Sequence, residues 1–221
     1  MTASSTAPDT SKQLAAVFSE TRTRGADVWL GTLFLVSGFA AILYQLVWQR
    51  MLYALVGINV EVVTLIVTLF IGGLGLGSLL GGALSRGGQR RLVRTFAAIE
   101  LAIGLFGAAS PRLFHLVGSL AANLSPAAIA VAIAVLVLPP TMAMGATLPI
   151  LTAHSVRRHP NVGAAVGTLY CVNTLGSAFA AFAVGFLLMR ALGQSGVLHL
   201  AVACNLVVST TALLALRRVA G

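Results

Sequence analysis

Residues 60–84 read VEVVTLIVTLFIGGLGLGSLLGGAL, a run whose one ionisable side chain, Glu61, sits at its start. At 1.5 Å per residue a helix of this length reaches about 37 Å, more than the roughly 30 Å of hydrocarbon in a bilayer. Within it Gly73, Gly77 and Gly81 recur at four-residue steps and so share one helix face. Missing side chains on one face let a neighbouring backbone come close, so we read these three glycines as a helix-packing seam. Glycine is common in membrane helices, but six in the eleven residues 72–82 is dense.

The rest of the chain has the same character. Of 221 residues, 58% are hydrophobic and 9% charged, with a mean hydropathy of +0.96; a soluble domain carries about a quarter of its residues charged. Apolar runs long enough to cross recur at 29–49, 60–84, 92–110, 127–153, 163–188 and 196–216, and they predict an all-α polytopic membrane bundle of about six transmembrane helices. Trp29 and Trp48 bracket the first run and read as interfacial anchors. Segment 112–124 (RLFHLVGSLAANL) is short and holds Arg112, His115 and Asn123, so it reads as an amphipathic interfacial helix rather than a seventh crossing. Pro139 and Pro140 lie inside the fourth run and are expected to bend or break it.

The net charge of +9 does not imply nucleic acid, because the basic residues sit between apolar runs instead of gathering on one solvated face. Their distribution sets an orientation. Lys12, Arg22, Arg24, Arg86, Arg90, Arg91, Arg94, Arg157, Arg158, Arg217 and Arg218 fall on one side of a six-crossing chain, and only Arg50, Arg112 and Arg190 on the other. The positive-inside rule then places both termini in the cytoplasm and the protein in a plasma or inner membrane. The expected organisation is a polar cytoplasmic tail at 1–27, a transmembrane domain at 28–216 and a short cytoplasmic tail at 217–221. The first tail has no continuous apolar stretch of the kind a signal peptide carries, only a short amphipathic piece around Leu14, Val17 and Phe18.

Ionisable and amide groups within the spans are the functional candidates. Glu100 sits mid-span, where an ionised carboxylate costs about 3 kcal/mol or more, so it must be neutral, paired or beside a wet cavity. A substrate or proton role and a structural hydrogen bond are both open. Tyr170, Asn173 and Ser177 share a face of the fifth run, and Asn205 and Ser209 share one in the sixth. Glu100, Asn173 and Asn205 lie at comparable depth and can line one cavity, although interhelical hydrogen bonds are the commoner use of buried asparagine. Tyr44, Gln45, Glu61 and His199 form a second group nearer the opposite face. Catalytic residues, a metal site and cofactors are not expected: His115, His154, His159 and His199 are scattered, Cys171 and Cys204 lie singly in apolar runs, and no phosphate-binding loop or nucleophile elbow is present.

Several separated strings carry a family resemblance. SGFAAILYQLVWQRML (37–52), GLGLGSLLGGALSR (73–86), LPPTMAMGATLPIL (138–151) and LYCVNTLGSAFAAFAVGFLLMRALG (169–193), followed by Asn205, resemble the N-terminal membrane module of membrane-bound spermidine synthase-like proteins. Those are fusions of a major-facilitator-like segment to an aminopropyltransferase. GGALSRGGQRR (81–91) is also similar to the loop between the second and third helices of major facilitator transporters, with Ser85 where an aspartate is usual. The resemblance implies a bundle like half of a major facilitator fold and a setting in polyamine metabolism. The Rossmann-like catalytic domain of the fused proteins is not expected within these 221 residues.

Three functions follow as expectations. The chain is an accessory module that anchors or feeds a separate aminopropyltransferase, or a small amine or polyamine transporter working as a homo-oligomer, or an inactive fragment of a fused synthase. Its constant partner in each case is the lipid bilayer. For a cationic amine, Glu100, Tyr44, Gln45, Tyr170, Asn173 and Asn205 are the candidate binding residues, because carboxylates, aromatic faces and carbonyls replace the water such a group loses.

Overall fold

In a computed structural model of the chain, residues 10–121, 124–157 and 161–218 are described, with side chains over 28–120, 124–157 and 161–216. The described elements are all helical: α1 (Thr10–Val56), α2 (Val60–Leu84), α3 (Gln89–Ala121), α4 (Pro126–Val156), α5 (Val162–Ala183), a π-helical turn (Val184–Leu188) and α6 (Met189–Arg218). Five helical runs are long and apolar enough to cross a membrane: Val28–Val56, Val60–Leu84, Gln89–Leu120, Pro126–Val156 and Val162–Leu216. Turn chemistry at their borders is local. Gly57 closes α1 at a φ of 86°, a region that favours glycine. Asn59, Ser125 and Asn161 cap α2, α4 and α5 by accepting from the amides of Val62, Ala128 and Ala164.

The 55 residues of Val162–Leu216 would reach about 80 Å if straight, but the run turns back on itself. Gly193 leaves helical geometry at φ 65°, ψ 179°. Asn173, before it, lies against Gly38, and Asn205, after it, reaches Glu100, which Ser37 also reaches. Because Ser37 and Gly38 are neighbours, the two halves must lie side by side.

Helix packing repeats one device. Gly73, Gly77 and Gly81 are the buried stripe of α2 below Phe70; a Cβ on them would strike the Thr141 side chain and the backbones of Met142 and Ala146 in α4. In return Gly145 of α4 faces the backbone of Leu74. Likewise Gly176 of α5 meets the Leu35 carbonyl and Gly38 of α1 meets the Asn173 carbonyl. So α2 packs on α4 as α5 packs on α1, while α3 and α6 pack on each other, α3 also on α4 and α6 also on α1. Exchanging α1 with α4, α2 with α5 and α3 with α6 leaves this set of neighbours unchanged.

Two sequence expectations are corrected. The tract 112–120 is not a separate interfacial helix, because α3 continues through Pro111. Proline removes the amide that would bond the Gly107 carbonyl four residues back, and the Ser110 hydroxyl bonds that carbonyl instead at 2.7 Å. Trp48 is not an interfacial anchor: it is 0% exposed, stacks on Tyr44 at 4.9 Å, meets Phe106 edge-on at 5.4 Å and donates Nε1 to Ser110 Oγ at 3.0 Å. With its N–H satisfied, indole belongs in the core. The helix of α4 continues through Pro139 and Pro140 without a break, and the Thr141 hydroxyl donates to the carbonyls of Val137 and Leu138 in the same turn. The backbone of 10–27, read as a tail, is helical and continuous with the first span.

Basic residues segregate to opposite ends. Arg157 donates to the carbonyls of Gly87 (2.5 Å) and Ser85 (3.3 Å), fastening the end of α4 to the α2–α3 turn, which carries Arg86 and leads into Arg90, Arg91 and Arg94 at the start of α3. At the other end Arg50, Tyr53, Ile58 and Gln194 border one hollow.

Two outcomes test this packing. Gly77→Val should lower stability in detergent by about 2–3 kcal/mol through overpacking, whereas Gly75→Ala, with nothing within 4 Å, should leave the melting temperature unchanged or raised. Ser110→Ala should cost about 1–2 kcal/mol by orphaning the Gly107 carbonyl and the Trp48 N–H. In a double-mutant cycle Pro111→Ala should recover part of that loss, because it restores an amide donor for Gly107.

Candidate intramembrane binding site

A cavity of about 290 Å³ lies between α2 and α5, on the side of the bundle where α1 and α4 meet them. Its wall takes Phe34, Ser37, Gly38, Ala41, Ile42 and Gln45 from α1, Phe70, Leu74 and Ser78 from α2, and Ile103 from α3. It also takes Met144, Gly145, Thr147 and Leu148 from α4, Tyr170, Asn173 and Ser177 from α5, and Asn205 from α6. These residues lie near the middle of the apolar helical runs, so the cavity falls about midway along the bundle. Small-molecule sites begin at roughly 300 Å³ and combine apolar walls with a few placed polar groups, and this cavity has that make-up.

Behind the wall is the one buried acidic side chain among the described residues. Glu100 is 0% exposed. Its Oε1 accepts from Ser37 Oγ at 2.5 Å and its Oε2 from Asn205 Nδ2 at 2.6 Å, so a single carboxyl joins α1, α3 and α6. One turn further along α6, Ser209 donates to the Ala97 carbonyl at 2.8 Å and holds the same α3–α6 pair. On the opposite wall Ser177 donates to the Gly38 carbonyl at 3.1 Å. Asn205 is 2% exposed, and its Oδ1 is without a hydrogen-bond partner among the described residues.

The sequence-derived candidates divide accordingly. Tyr170, Asn173 and Asn205 line the cavity together with Gln45. Glu100 does not line it, standing behind Ser37 and Asn205. Tyr44 points elsewhere, 0% exposed and seated on Gly107 beneath Trp48. The grouping of Tyr44, Gln45, Glu61 and His199 is not present: Glu61 and His199 are exposed, and Tyr44 and Gln45, neighbours about 100° apart on one helix, face different ways. Sequence reasoning passed over Ser37, Ser78 and Thr147. Ser37 carried a signal, since Ser37, Ala41 and Gln45 recur at four-residue steps and form the stripe of α1 that faces the cavity. Among the described residues no three His, Cys, Asp or Glu side chains gather as metal ligands would.

No family model, curated protein or solved structure matches the chain.

Replacing Glu100 separates packing from hydrogen bonding. Glu100→Leu should lower stability by about 2–3 kcal/mol, because it leaves Ser37 Oγ and Asn205 Nδ2 buried without their acceptor. Glu100→Gln retains an acceptor and similar volume and should melt within about 1 kcal/mol of the parent. Thermal unfolding in one detergent measures both.

Proposed function

We propose that this chain is a six-crossing membrane module that binds a small polar solute at mid-membrane and moves it across the bilayer. The observation that carries this reading is the cavity itself. Polar side chains placed among lipid or apolar neighbours are costly, yet Ser37, Gln45, Asn173, Ser177 and Asn205 converge on one space near the bilayer centre. A static anchor would need only the helix seams and gains nothing from a polar hollow.

In this reading α5 and α6 are separate crossings joined at Gly193, and the end bearing Arg86, Arg90, Arg91, Arg94 and Arg157 is cytoplasmic, as its excess of arginine favours. Helices three apart then run in opposite directions, so the exchange of neighbours between α1–α3 and α4–α6 is that of inverted repeats, an arrangement that places solute sites at the repeat interface. The resemblance to the membrane module of spermidine synthase-like proteins supplies the setting, polyamine handling, with transfer to a separate aminopropyltransferase as the alternative to transport.

The test fills the hollow without disturbing its walls. Ala41 faces the cavity, and Ala41→Leu should weaken saturable binding of radiolabelled putrescine to the detergent-purified protein at least tenfold, about 1.4 kcal/mol, at an unchanged melting temperature. Equal binding by parent and variant would refute the site. For orientation, a reporter active only in the cytoplasm should be active when fused after Gly221 and silent when inserted after Leu124.

A further inference from the structure

Three hydroxyls of the cavity wall give their hydrogens to the protein and keep their lone pairs. Ser37 Oγ donates to Glu100, Ser177 Oγ to the Gly38 carbonyl and Thr147 Oγ1 to the Met144 carbonyl at 2.7 Å. A hydroxyl has one hydrogen and two lone pairs, so each of these three is left as an acceptor only. Asn205 repeats the pattern. Its amino group is directed to Glu100 Oε2, which turns its carbonyl oxygen the other way, and that oxygen is the buried, unpartnered Oδ1. Asn205 is itself one of the residues that line the cavity. Gln45, Ser78, Tyr170 and Asn173 each carry donor and acceptor alike, so the bias toward acceptors comes from the four groups above.

We infer that the site selects solutes that donate hydrogen bonds, protonated amines bearing N–H, against carboxylates and against quaternary ammonium ions, with Asn205 Oδ1 as the recognising acceptor. Glu100 acts through Asn205 as a positioning residue: by attracting the amide nitrogen it fixes which end of the amide is offered. This inference rests on the cavity being a binding site, the reading proposed above.

Charge and hydrogen bonding are separated by comparing N-methylated butanediamines. The tetramethyl derivative, protonated, keeps one N–H on each nitrogen; the hexamethyl derivative has the same charge, one more methyl per nitrogen and no N–H. The parent protein should bind the tetramethyl compound roughly ten- to a hundredfold more tightly, as expected for a hydrogen bond involving a charged group, and should not bind succinate detectably. Asn205→Leu should reduce that ratio towards unity, and Glu100→Gln should reduce it with no more than the small change in melting given above, which a purely structural role would not do. Equal binding of the two derivatives by the parent overturns the inference while leaving the cavity reading intact, and it needs no variant to fold. A ratio unaffected by Asn205→Leu overturns the role of that side chain. Failure of the parent to bind butanediamine or either derivative removes the cavity reading and this inference together.

Discussion

The Glu100 carboxyl fixes the relative register of three helices. In a medium that offers no water, each of its oxygens must find a donor within the protein, and each finds one on a different helix, Ser37 on α1 and Asn205 on α6. Sliding any of these helices by a residue would leave a buried polar atom alone, at a cost of several kcal/mol in hydrocarbon. Dispersion forces between apolar helices vary little with such a slide, since a leucine packs about as well against lipid as against another leucine. The carboxyl therefore supplies the directional term that general apolar packing lacks.

Glycine supplies the other constraint, distance. Where Gly77 faces Met142, or Gly176 faces Leu35, the neighbour's backbone occupies the space a side chain would need. The outer helices α2 and α5 are drawn tightly onto α4 and α1 in this way, and the space between α2 and α5 stays open as the cavity. Close approach in one place and separation in another thus have the same origin.

Much of this was legible in the sequence, for a physical reason. Apolar length is a property of a contiguous run, so α2 could be bounded at 60–84, and glycine periodicity singled out the stripe that faces α4. Tyr170, Asn173 and Ser177 could be placed on one face because helix periodicity is local. What could not be read was pairing across helices. Nothing near Pro111 in the chain reveals that Trp48, far upstream, braces the serine that rescues the proline turn. Tyr44 and Gln45 looked equivalent because both are polar and adjacent, yet which one faces the cavity depends on where α3 and α5 dock on α1. Ser37 escaped notice because an isolated serine in an apolar helix commonly bonds its own backbone, and only the position of Glu100 makes it otherwise.

The unbroken course of α3 through Pro111 has a bearing on where such a protein can reside. Its 33 residues measure about 50 Å, well beyond the roughly 27–33 Å hydrocarbon range of cellular membranes. The surplus is divided between the two ends: Arg90, Arg91 and Arg94 stand at one, and at the other Arg112 and His115 are exposed while Phe114 remains in the core. What meets the hydrocarbon is the stretch between Arg94 and Arg112, about 26 Å long. It suits the thin end of that range, and where a bilayer is thicker the long arginine stems at both ends can reach outward to its interfaces.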